Sequence, residues 1–352
     1  CFTTPLLPDD LALLSRPVSY LRVTALSADG KKHSVSVTVT ASEELCLDAA
    51  GQSDVVCADT DLPDMACICI GNTEQKVLNR SGDDVRIDWG YFYLAACGEN
   101  AVTQSFHDTM SRIGVTVDIS REEALILFAY DDVKSLDYFG EQIKSVWNHD
   151  GKTIEDALSE ALYGSEETYL ACEQFSEGLF LDGVRAGGKK YAEMLELAYR
   201  QGFAAHKIGM TDEGELIFVS KECFSNGCAA TVDVSYPSIP LFLIYNPELV
   251  RGMMRPIYRF ARSDAWNFDF APHDAGRYPI LRGQVYGLNR EKNEYDFSRQ
   301  MPVEECGNML IMEAACALAD GNCEFAAEHM DILQTWVQYL LQYGYDPENQ
   351  LC

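Results

Sequence analysis

The sequence has no long apolar run and little positive charge. No stretch of about 18 consecutive apolar residues occurs, so no segment is predicted to span a membrane. Lys and Arg number 27 against 55 Asp and Glu, which gives a formal net charge of −28. Because such a surface repels phosphates and anionic lipids, we expect neither a nucleic acid nor a membrane as a partner. The partner that we expect is a small-molecule substrate.

Metal-site spacing and familiar nucleophile motifs are also missing. Cys67 and Cys69 form a Cys-x-Cys pair, but no second pair follows at the spacing of a zinc site. The Gly-x-Ser-x-Gly elbow of serine hydrolases does not occur, although Cys223 and Ser225 lie in a candidate loop. We therefore expect no cofactor, no essential metal ion, and neither a serine nor a cysteine nucleophile.

Cysteine, by contrast, is frequent, with 13 residues scattered along the chain. Many lie in apolar runs, as Cys316 does, where a reduced thiol behaves as a small hydrophobic group. This usage favours a reducing, cytoplasmic compartment. The chain starts without Met or a signal peptide, and both ends look cut. Secretion is therefore the open alternative, and the localisation stays unknown.

The first 135 residues show the pattern of antiparallel strands. Val alternates with Ser and Thr along His33–Thr40, which is typical of a half-buried strand. The turn pair Asp29-Gly30 before it predicts a hairpin with the apolar segment Val18–Leu26. Further short runs with turn residues between them predict a β-sandwich over residues 1–135. These runs are Val55–Ala58, Ala66–Ile70, Val85–Ile87, Tyr91–Ala95 and Leu125–Tyr130.

From residue 136 onward the apolar spacing becomes helical, so we assign residues 136–352 to a second, helical domain. Asn246-Pro247 predicts a helix start, and the apolar run Gly307–Ala319 predicts a buried helix. About forty residues between Arg262 and Met301 show no clear element, and we interpret them as an ordered functional loop. The helical spacing begins with Leu136, Phe139, Ile143 and Val146.

Several ordered motifs span nearly the whole chain. They are Phe2–Leu11, Leu14–Val18, Asn79–Tyr91, Leu197–Lys207, Ser220–Ser238, Phe270–Asp274, Tyr278-Pro279 and Met301–Ile311. Together these motifs resemble the glutaminase A family. The resemblance implies a multidomain β plus α fold, in which an antiparallel β-sandwich precedes an α/α toroid of six helical hairpins like that of many glycosidases. It also implies hydrolysis of L-glutamine to L-glutamate and ammonia.

Two features depart from the family pattern. Cys223 stands where the resemblance implies Asn. Only about 200 residues follow the predicted sandwich, and because six hairpins need more, we expect a toroid truncated at its C-terminus. An incomplete toroid exposes apolar helix faces, so self-association is a further expectation.

Carboxylates provide the catalytic candidates. Glu304 and Glu305 precede the buried helix, and because adjacent residues do not share a helix face, one at most is expected to point into a cleft. Glu305 is preferred, and the alternative is that both carboxylates complement the helix dipole. Asp274 follows His273 in the long loop, and a His-Asp pair can relay a proton near neutral pH. The alternative is that Asp274 fixes loop amides.

The substrate-binding candidates lie in the loops around these carboxylates. Lys221, next to Glu222, would bind a substrate carboxylate as a point charge. Asn226 precedes Gly227 and equally predicts a turn. Asp233 orients a catalytic group or caps the next helix. His273 would bind substrate or relay a proton. The remaining candidates, whose rings line a pocket or pack in the core, are Trp266 and Tyr278.

Three functions stay open on sequence alone. The first is a glutaminase-like amidohydrolase that acts on L-glutamine or a similar small amide through carboxylate acid and base residues. The second is a glycoside hydrolase of the six-hairpin type, and the third is a binding protein without enzymatic activity. A separation of roughly 5–10 Å between carboxyl groups across an aromatic-walled cleft would favour the glycosidase. A small closed pocket would favour an amino-acid substrate.

Overall fold

The computed structural model describes residues 1–119, 123–222 and 225–345, which divide between two compact units. The domain boundary predicted at residue 135 stays a prediction. No helix in the described ranges is long and apolar enough to cross a membrane. Unit 1 consists of Cys1–Asn79, Arg86–Val133 and Trp147–Glu196, and unit 2 consists of Arg80–Val85, Lys134–Val146 and Leu197–Cys352.

Unit 1 contains two antiparallel sheets. Its strands are β1 Phe2–Thr3, β2 Val18–Thr24, β3 Ser36–Ser42, β4 Val55–Leu62, β5 Met65–Asn72, β6 Tyr91–Cys97, β7 Val102–His107, β8 Ser111–Asp118 and β9 Glu123–Asp131. The larger sheet has the order β1-β2-β9-β6-β5-β4, and the smaller has the order β3-β8-β7. This arrangement confirms the antiparallel β region predicted for the start of the chain.

The two sheets of unit 1 share an apolar core. Ile70 and Leu94 of the larger sheet and Ile113 and Val115 of the smaller sheet are all fully buried in one cluster. The other face of the larger sheet packs against α2, and both faces are therefore covered. The helices that begin in this unit are α1 Leu11–Ser15, α2 Ile154–Tyr163, α3 Ser165–Gly187 and α4 Lys189–Ala204.

The hairpin predicted at Asp29-Gly30 is wrong. β2 pairs with β1 and β9 in the larger sheet, whereas β3 pairs with β8 in the smaller one. Asp29 Oδ1 accepts hydrogen bonds from the Lys31 amide at 3.0 Å and from Ser27 Oγ at 3.1 Å. The local turn therefore exists, but it connects a strand of one sheet to a strand of the other. Turn residues determine where the chain changes direction, but they do not determine which strands pair.

Unit 2 is mainly helical and has short strands between its helices, which confirms the predicted helical-hairpin region. Asn246 joins two consecutive helices, and its Oδ1 accepts a hydrogen bond from the Glu248 amide at 3.1 Å, as a helix cap does. The helices are α5 Val232–Tyr245, α6 Pro247–Ala261, α7 Pro302–Asp320, α8 Glu324–Glu328 and α9 Met330–Tyr343. The strands are β10 Leu136–Tyr138, β11 Glu141–Ile143, β12 His206–Met210, β13 Leu216–Ser220, β14 Ile280–Leu281, β15 Leu288–Asn289 and β16 Glu294–Tyr295.

The helix predicted from the spacing at Leu136 to Val146 is also wrong. β10 and β11 pair as an antiparallel hairpin, with Leu136 opposite Ile143. The chain reverses at Phe139 and Gly140, which both have a positive φ. A hairpin of two short strands can bury residues at the same spacing as a helix. The apolar pattern alone therefore did not distinguish a hairpin from a helix here.

Candidate active site

The long loop between α6 and α7 is ordered because it pairs with the segment before α5. The Val232 amide donates to the His273 carbonyl at 2.8 Å. Further along, the Ala275 amide donates to the Ala229 carbonyl at 3.1 Å, and the Ala229 amide donates to the Gly276 carbonyl at 2.9 Å. Residues 273–276 therefore run antiparallel to residues 229–232, which brings His273 beside the start of α5.

An ion pair between an exposed arginine and a buried aspartate anchors the same loop further along the chain. β14 pairs in parallel with β10, and the next residue, Arg282, reaches Asp137. Arg282 Nε lies 2.9 Å from Asp137 Oδ1, and Nη2 lies 2.5 Å from Oδ2. Asp137 is only 3% exposed. The bidentate contact restricts the orientation of Arg282 and adds charge attraction, and both effects hold the loop against β10.

The first turn of α7 approaches the loop from another side. Pro302 opens the helix, and Glu304 and Glu305 lie in its first turn. The amide of Ala271, two residues before His273, donates to Cys306 Sγ at 3.3 Å. This contact brings α7 close to the His273 segment and places Glu305, whose side chain is fully buried, next to it.

His273 is held between two carboxylates. Its Nδ1 lies 3.0 Å from Asp274 Oδ2, and its Nε2 lies 3.5 Å from Asp233 Oδ1. Asp274 is fully buried, and its other oxygen accepts the Gly276 amide at 2.9 Å. Because Asp274 can only accept when it is ionised, Nδ1 carries the proton and Nε2 faces Asp233. We call Asp233, His273, Asp274, Glu304 and Glu305 the carboxylate–histidine cluster.

Three members of this cluster have the arrangement of metal ligands. One donor atom each of Asp233, His273 and Glu305 lies within 4.8 Å of the others. They come from the start of α5, the long loop and the first turn of α7, so their proximity is a product of the fold.

Burial and mutual repulsion alter the proton affinity of the two glutamates. Burial raises the pKa of Glu305 well above its ordinary value, and the charges of Asp233 and Glu304 add to this rise. Burial also raises the pKa of Glu304, again with a contribution from Asp233, while His273 opposes the shift. Both carboxyl groups therefore retain a proton to higher pH than an isolated glutamate does.

The His273–Asp274 pair is coupled in the same way. Burial lowers the pKa of His273, but the hydrogen bond from its ring to Asp274 and the charges of Asp274 and Asp233 outweigh burial, so the pKa rises. Burial raises the pKa of Asp274, and the hydrogen bond with His273 opposes that rise. Both members of the pair therefore retain a proton to higher pH than the isolated groups do, in a site that is shielded from water.

A second histidine of unit 2 has a different environment. The His206 ring stacks on Phe218 with ring centroids 4.4 Å apart, and its Nδ1 lies 2.6 Å from the Gly202 carbonyl oxygen. Burial lowers the pKa of His206 to about 4, so the ring stays neutral. His206 is thus a packing residue, and the carboxylates around His273 are what distinguish the candidate site.

Two further predicted binding residues lie beside the cluster. The negative charge of Glu222 contributes to the raised pKa values of His273 and Asp274, and Glu222 Oε2 accepts a hydrogen bond from Thr231 Oγ1 at 3.4 Å. Lys221 forms an antiparallel bridge with Ala229. Its Nζ lies 5.9 Å from the centroid of the Tyr278 ring, which places Tyr278 near the same loop.

Two other predicted binding residues serve the structure. Asn226 Oδ1 accepts a hydrogen bond from the Cys228 amide at 2.8 Å, which is the turn interpretation given above. Trp266 is buried, and its indole N–H donates to the Phe270 carbonyl at 2.8 Å within a group of aromatic rings. Cys223 lies outside the described residues, and Ser225 is exposed.

Sequence reasoning missed two residues at the cluster. Asn308 Nδ2 donates to Glu305 Oε2 at 3.4 Å, and the i to i+3 spacing of the two residues on one helix was the available signal. Burial and the nearby charge of Asp274 raise the pKa of the Cys228 thiol, which stays protonated beside that carboxylate. No motif pointed to Cys228.

Comparisons with known proteins agree with this architecture. Residues 188–352 match the family model described as the glutaminase A six helical-hairpin domain, and residues 1–114 match a domain of unknown function, DUF5127. Glutaminase A of Aspergillus oryzae is 29% identical over 388 aligned positions, which cover 99% of this chain and 54% of that protein. A protein of Arthroderma benhamiae named probable glutaminase is 31% identical over 171 positions, which cover 48% of this chain and 19% of that protein.

The chain therefore spans about half the length of the first relative and less of the second. The similarity to the first relative nevertheless extends over nearly all of this chain, through both compact units. The antiparallel β region, the helical hairpins and the comparisons agree: residues 188–352 match the glutaminase A six helical-hairpin domain, and the chain is similar to a glutaminase A over nearly its whole length.

Proposed function

We propose that the protein is a glutaminase-like amidohydrolase that converts L-glutamine, or a similar small amide, to the acid and ammonia at the carboxylate–histidine cluster. The observation that carries this proposal is the buried His273, held by Asp274 at 3.0 Å and flanked by Asp233 and Glu305. The names of the two relatives, glutaminase A and probable glutaminase, support the same chemistry.

Amide hydrolysis requires proton transfer in both directions. The oxygen of water bonds to the amide carbon, the C–N bond breaks, and the nitrogen leaves as ammonia with a proton that it did not carry before. A group must therefore accept a proton from water, and a group must deliver one to nitrogen. Glu304 is half-buried beside Asp233 and His273, so it can exchange protons with solvent, and we assign both transfers to it.

The other members of the cluster position the reacting atoms. Glu305 Oε1 is buried and has no hydrogen-bond partner in the described part of the chain, so it can accept a hydrogen from the attacking water. Asp274 fixes the His273 ring through Nδ1, and Nε2 is directed at the cluster. Positioning of this kind contributes a large share of the rate gain in hydrolytic enzymes.

Two charged residues suit the ends of an amino-acid substrate. Lys221 carries a positive charge for an α-carboxylate, and Glu222 carries a negative charge for an α-ammonium group. Glu222 acts electrostatically on both His273 and Asp274, so its charge adjoins the cluster, and Lys221 is the residue before it in the chain. A dipolar substrate with a short side-chain amide therefore matches the surroundings better than an uncharged one.

The spacing of two carboxylates argues against one class of glycosidase. Donor oxygens of Asp233 and Glu305 lie within 4.8 Å of each other. Inverting glycosidases separate their two carboxyl groups by about 6.5–9.5 Å to accommodate a water molecule, whereas retaining glycosidases separate them by about 5–5.5 Å. The spacing therefore does not match an inverting glycosidase, and the product assay below distinguishes the retaining type.

The proposal is tested by incubating the purified protein with L-glutamine and measuring ammonia and L-glutamate together. We expect the two products in equal amounts, with slower release of ammonia from L-asparagine, whose side chain is shorter. A panel of p-nitrophenyl glycosides serves as the comparison. Nitrophenol release without any ammonia would replace the proposal with the glycosidase, and release of neither product would leave a binding protein.

A further inference from the structure

The carboxylate–histidine cluster is electrostatically unbalanced. Four carboxyl groups surround one imidazole, and the nearby Glu222 adds a fifth negative charge that acts on His273. Amide hydrolysis also develops negative charge on the carbonyl oxygen, which carboxylates cannot stabilise. A positively charged ligand in the cluster would offset the excess negative charge of the carboxylates and would also stabilise the charge on the carbonyl oxygen.

The geometry of three side chains fits such a ligand. The donor atoms of Asp233, His273 and Glu305 lie within 4.8 Å of one another. Neighbouring ligand atoms at about 2.0–2.2 Å from one ion lie roughly 3–3.6 Å apart, so shifts on the order of 1 Å complete the arrangement. Side-chain rotation alone provides shifts of that size.

An unpartnered buried oxygen points to the same position. Glu305 is fully buried, and its Oε1 has no hydrogen-bond partner among residues 1–119, 123–222 and 225–345. Asp233 Oδ1 is likewise without a hydrogen bond in these ranges and faces His273 Nε2 at 3.5 Å. A buried acceptor without a partner destabilises the fold, and more so when it is charged, so a bound ligand would stabilise the site.

The groups around the three donors orient them as in known metal sites. Asp274 holds the His273 ring through Nδ1 at 3.0 Å, which leaves Nε2 as the donor on the cluster side. Carboxylate–histidine–metal arrangements of this kind fix the ring and strengthen the imidazole as a ligand. Asn308 donates to Glu305 Oε2 at 3.4 Å, which leaves Oε1 for the ion.

We propose that Asp233, His273 and Glu305 bind one divalent transition-metal ion of the Mn²⁺ or Zn²⁺ class. The imidazole nitrogen selects this class over Mg²⁺ and Ca²⁺, which prefer oxygen ligands alone. Three protein ligands leave coordination positions open for water or substrate, as in catalytic metal sites. This inference replaces the expectation, drawn from cysteine spacing, that no metal is bound, and it does not depend on the proposed function.

Binding is tested on chelator-treated protein by calorimetric titration and thermal melting. MnCl₂ is the primary probe, because the 13 cysteines of the chain also attract Zn²⁺ without a built site. We expect one Mn²⁺ per chain with a raised Tm, and at least about tenfold weaker binding of CaCl₂ and MgCl₂. Absence of Mn²⁺ binding, or equal affinity for Ca²⁺, would overturn the proposal.

Two adjacent glutamates provide a matched pair of variants. Glu305→Gln and Glu304→Gln remove the same charge in the same helical turn, but only Glu305 belongs to the ligand set. Loss of a ligand should weaken Mn²⁺ binding at least about 100-fold, whereas loss of Glu304 should weaken it less than about tenfold. Equal weakening by both variants would show that the cation responds to charge alone. Asp233→Asn, on a different helix, should reproduce the effect of Glu305→Gln even if the latter variant folds poorly.

The outcomes for binding and for catalysis are separable. Stoichiometric Mn²⁺ binding by a protein that releases no ammonia would support the metal site and reject the proposed function. Ammonia release that survives exhaustive dialysis against EDTA, in protein with no measurable Mn²⁺ binding, would reject the metal site and leave the proposed function standing.

Discussion

Replacement of Glu305 by Gln is expected to lower kcat for ammonia release at least about 1,000-fold while the protein stays folded. The amide side chain cannot supply the second acceptor oxygen or the negative charge that the cluster uses to hold water or an ion. The fold should survive because Gln has nearly the same size as Glu and keeps the side-chain oxygen that Asn308 Nδ2 contacts. Steady-state kinetics with L-glutamine, together with a urea melt, measure both effects.

Glu313 offers a control on the same helix. It is buried, and its Oε2 accepts a hydrogen bond from the Tyr258 hydroxyl at 2.7 Å, away from the cluster residues in the first turn of α7. Glu313→Gln should change stability by about 1 kcal/mol and leave kcat within about twofold. Retention of more than about a tenth of the activity by Glu305→Gln would remove Glu305 from the reaction, since loss of a positioned catalytic group costs 100-fold or more.

Replacement of Gly227 by Ala is expected to destabilise unit 2 by about 2–4 kcal/mol. Gly227 has a φ of +72°, where a side chain is strained, and an added Cβ would meet backbone atoms of Gly82 and Asp83, among them the Gly82 carbonyl oxygen at 2.6 Å. Strain of about 1 kcal/mol and overpacking of about 1–3 kcal/mol combine at this position. Chemical denaturation followed by tryptophan fluorescence measures the loss.

Hydrogen bonds prevent the Gly227 segment from moving aside. The Tyr278 amide donates to the Gly227 carbonyl at 3.0 Å, and the Gly82 amide donates to the Tyr278 carbonyl at 3.2 Å. Gly214, in the same unit, has a φ of +86° but no atom of the described residues within 4 Å of an added Cβ. Gly214→Ala should therefore cost only about 1 kcal/mol. Equal losses in the two variants would mean that the steric clash contributes nothing.

The sequence predicted the strands of unit 1 better than their partners. Alternation of Val with Ser and Thr marked β3, because one face of that strand is half-buried and the other is exposed. The same alternation says nothing about which strand lies alongside, so β3 was joined to β2 when it pairs with β8. Pairing between segments distant in sequence is set by the whole core and not by the turn.

For the candidate site too, the residues could be predicted from the sequence, but their grouping in space could not. The residue types at Glu305, His273 and Asp274 indicated proton chemistry, and these three converge in the structure. The sequence did not predict that Asp233, His273 and Glu305 would form one set of three donors. These residues come from separate segments, and no fixed spacing links them. The backbone pairing of residues 273–276 with residues 229–232 creates that set, and pairing of this kind leaves no local signature.

A single reaction centre is tested most directly by combining Glu305→Gln with His273→Gln and measuring ammonia release from L-glutamine. Residues that act as one unit show strongly non-additive effects on kcat. The double variant is therefore expected to be no slower than the slower single variant, within about threefold. Rate losses that multiply in the double variant would show that Glu305 and His273 act independently, and would contradict a shared catalytic centre.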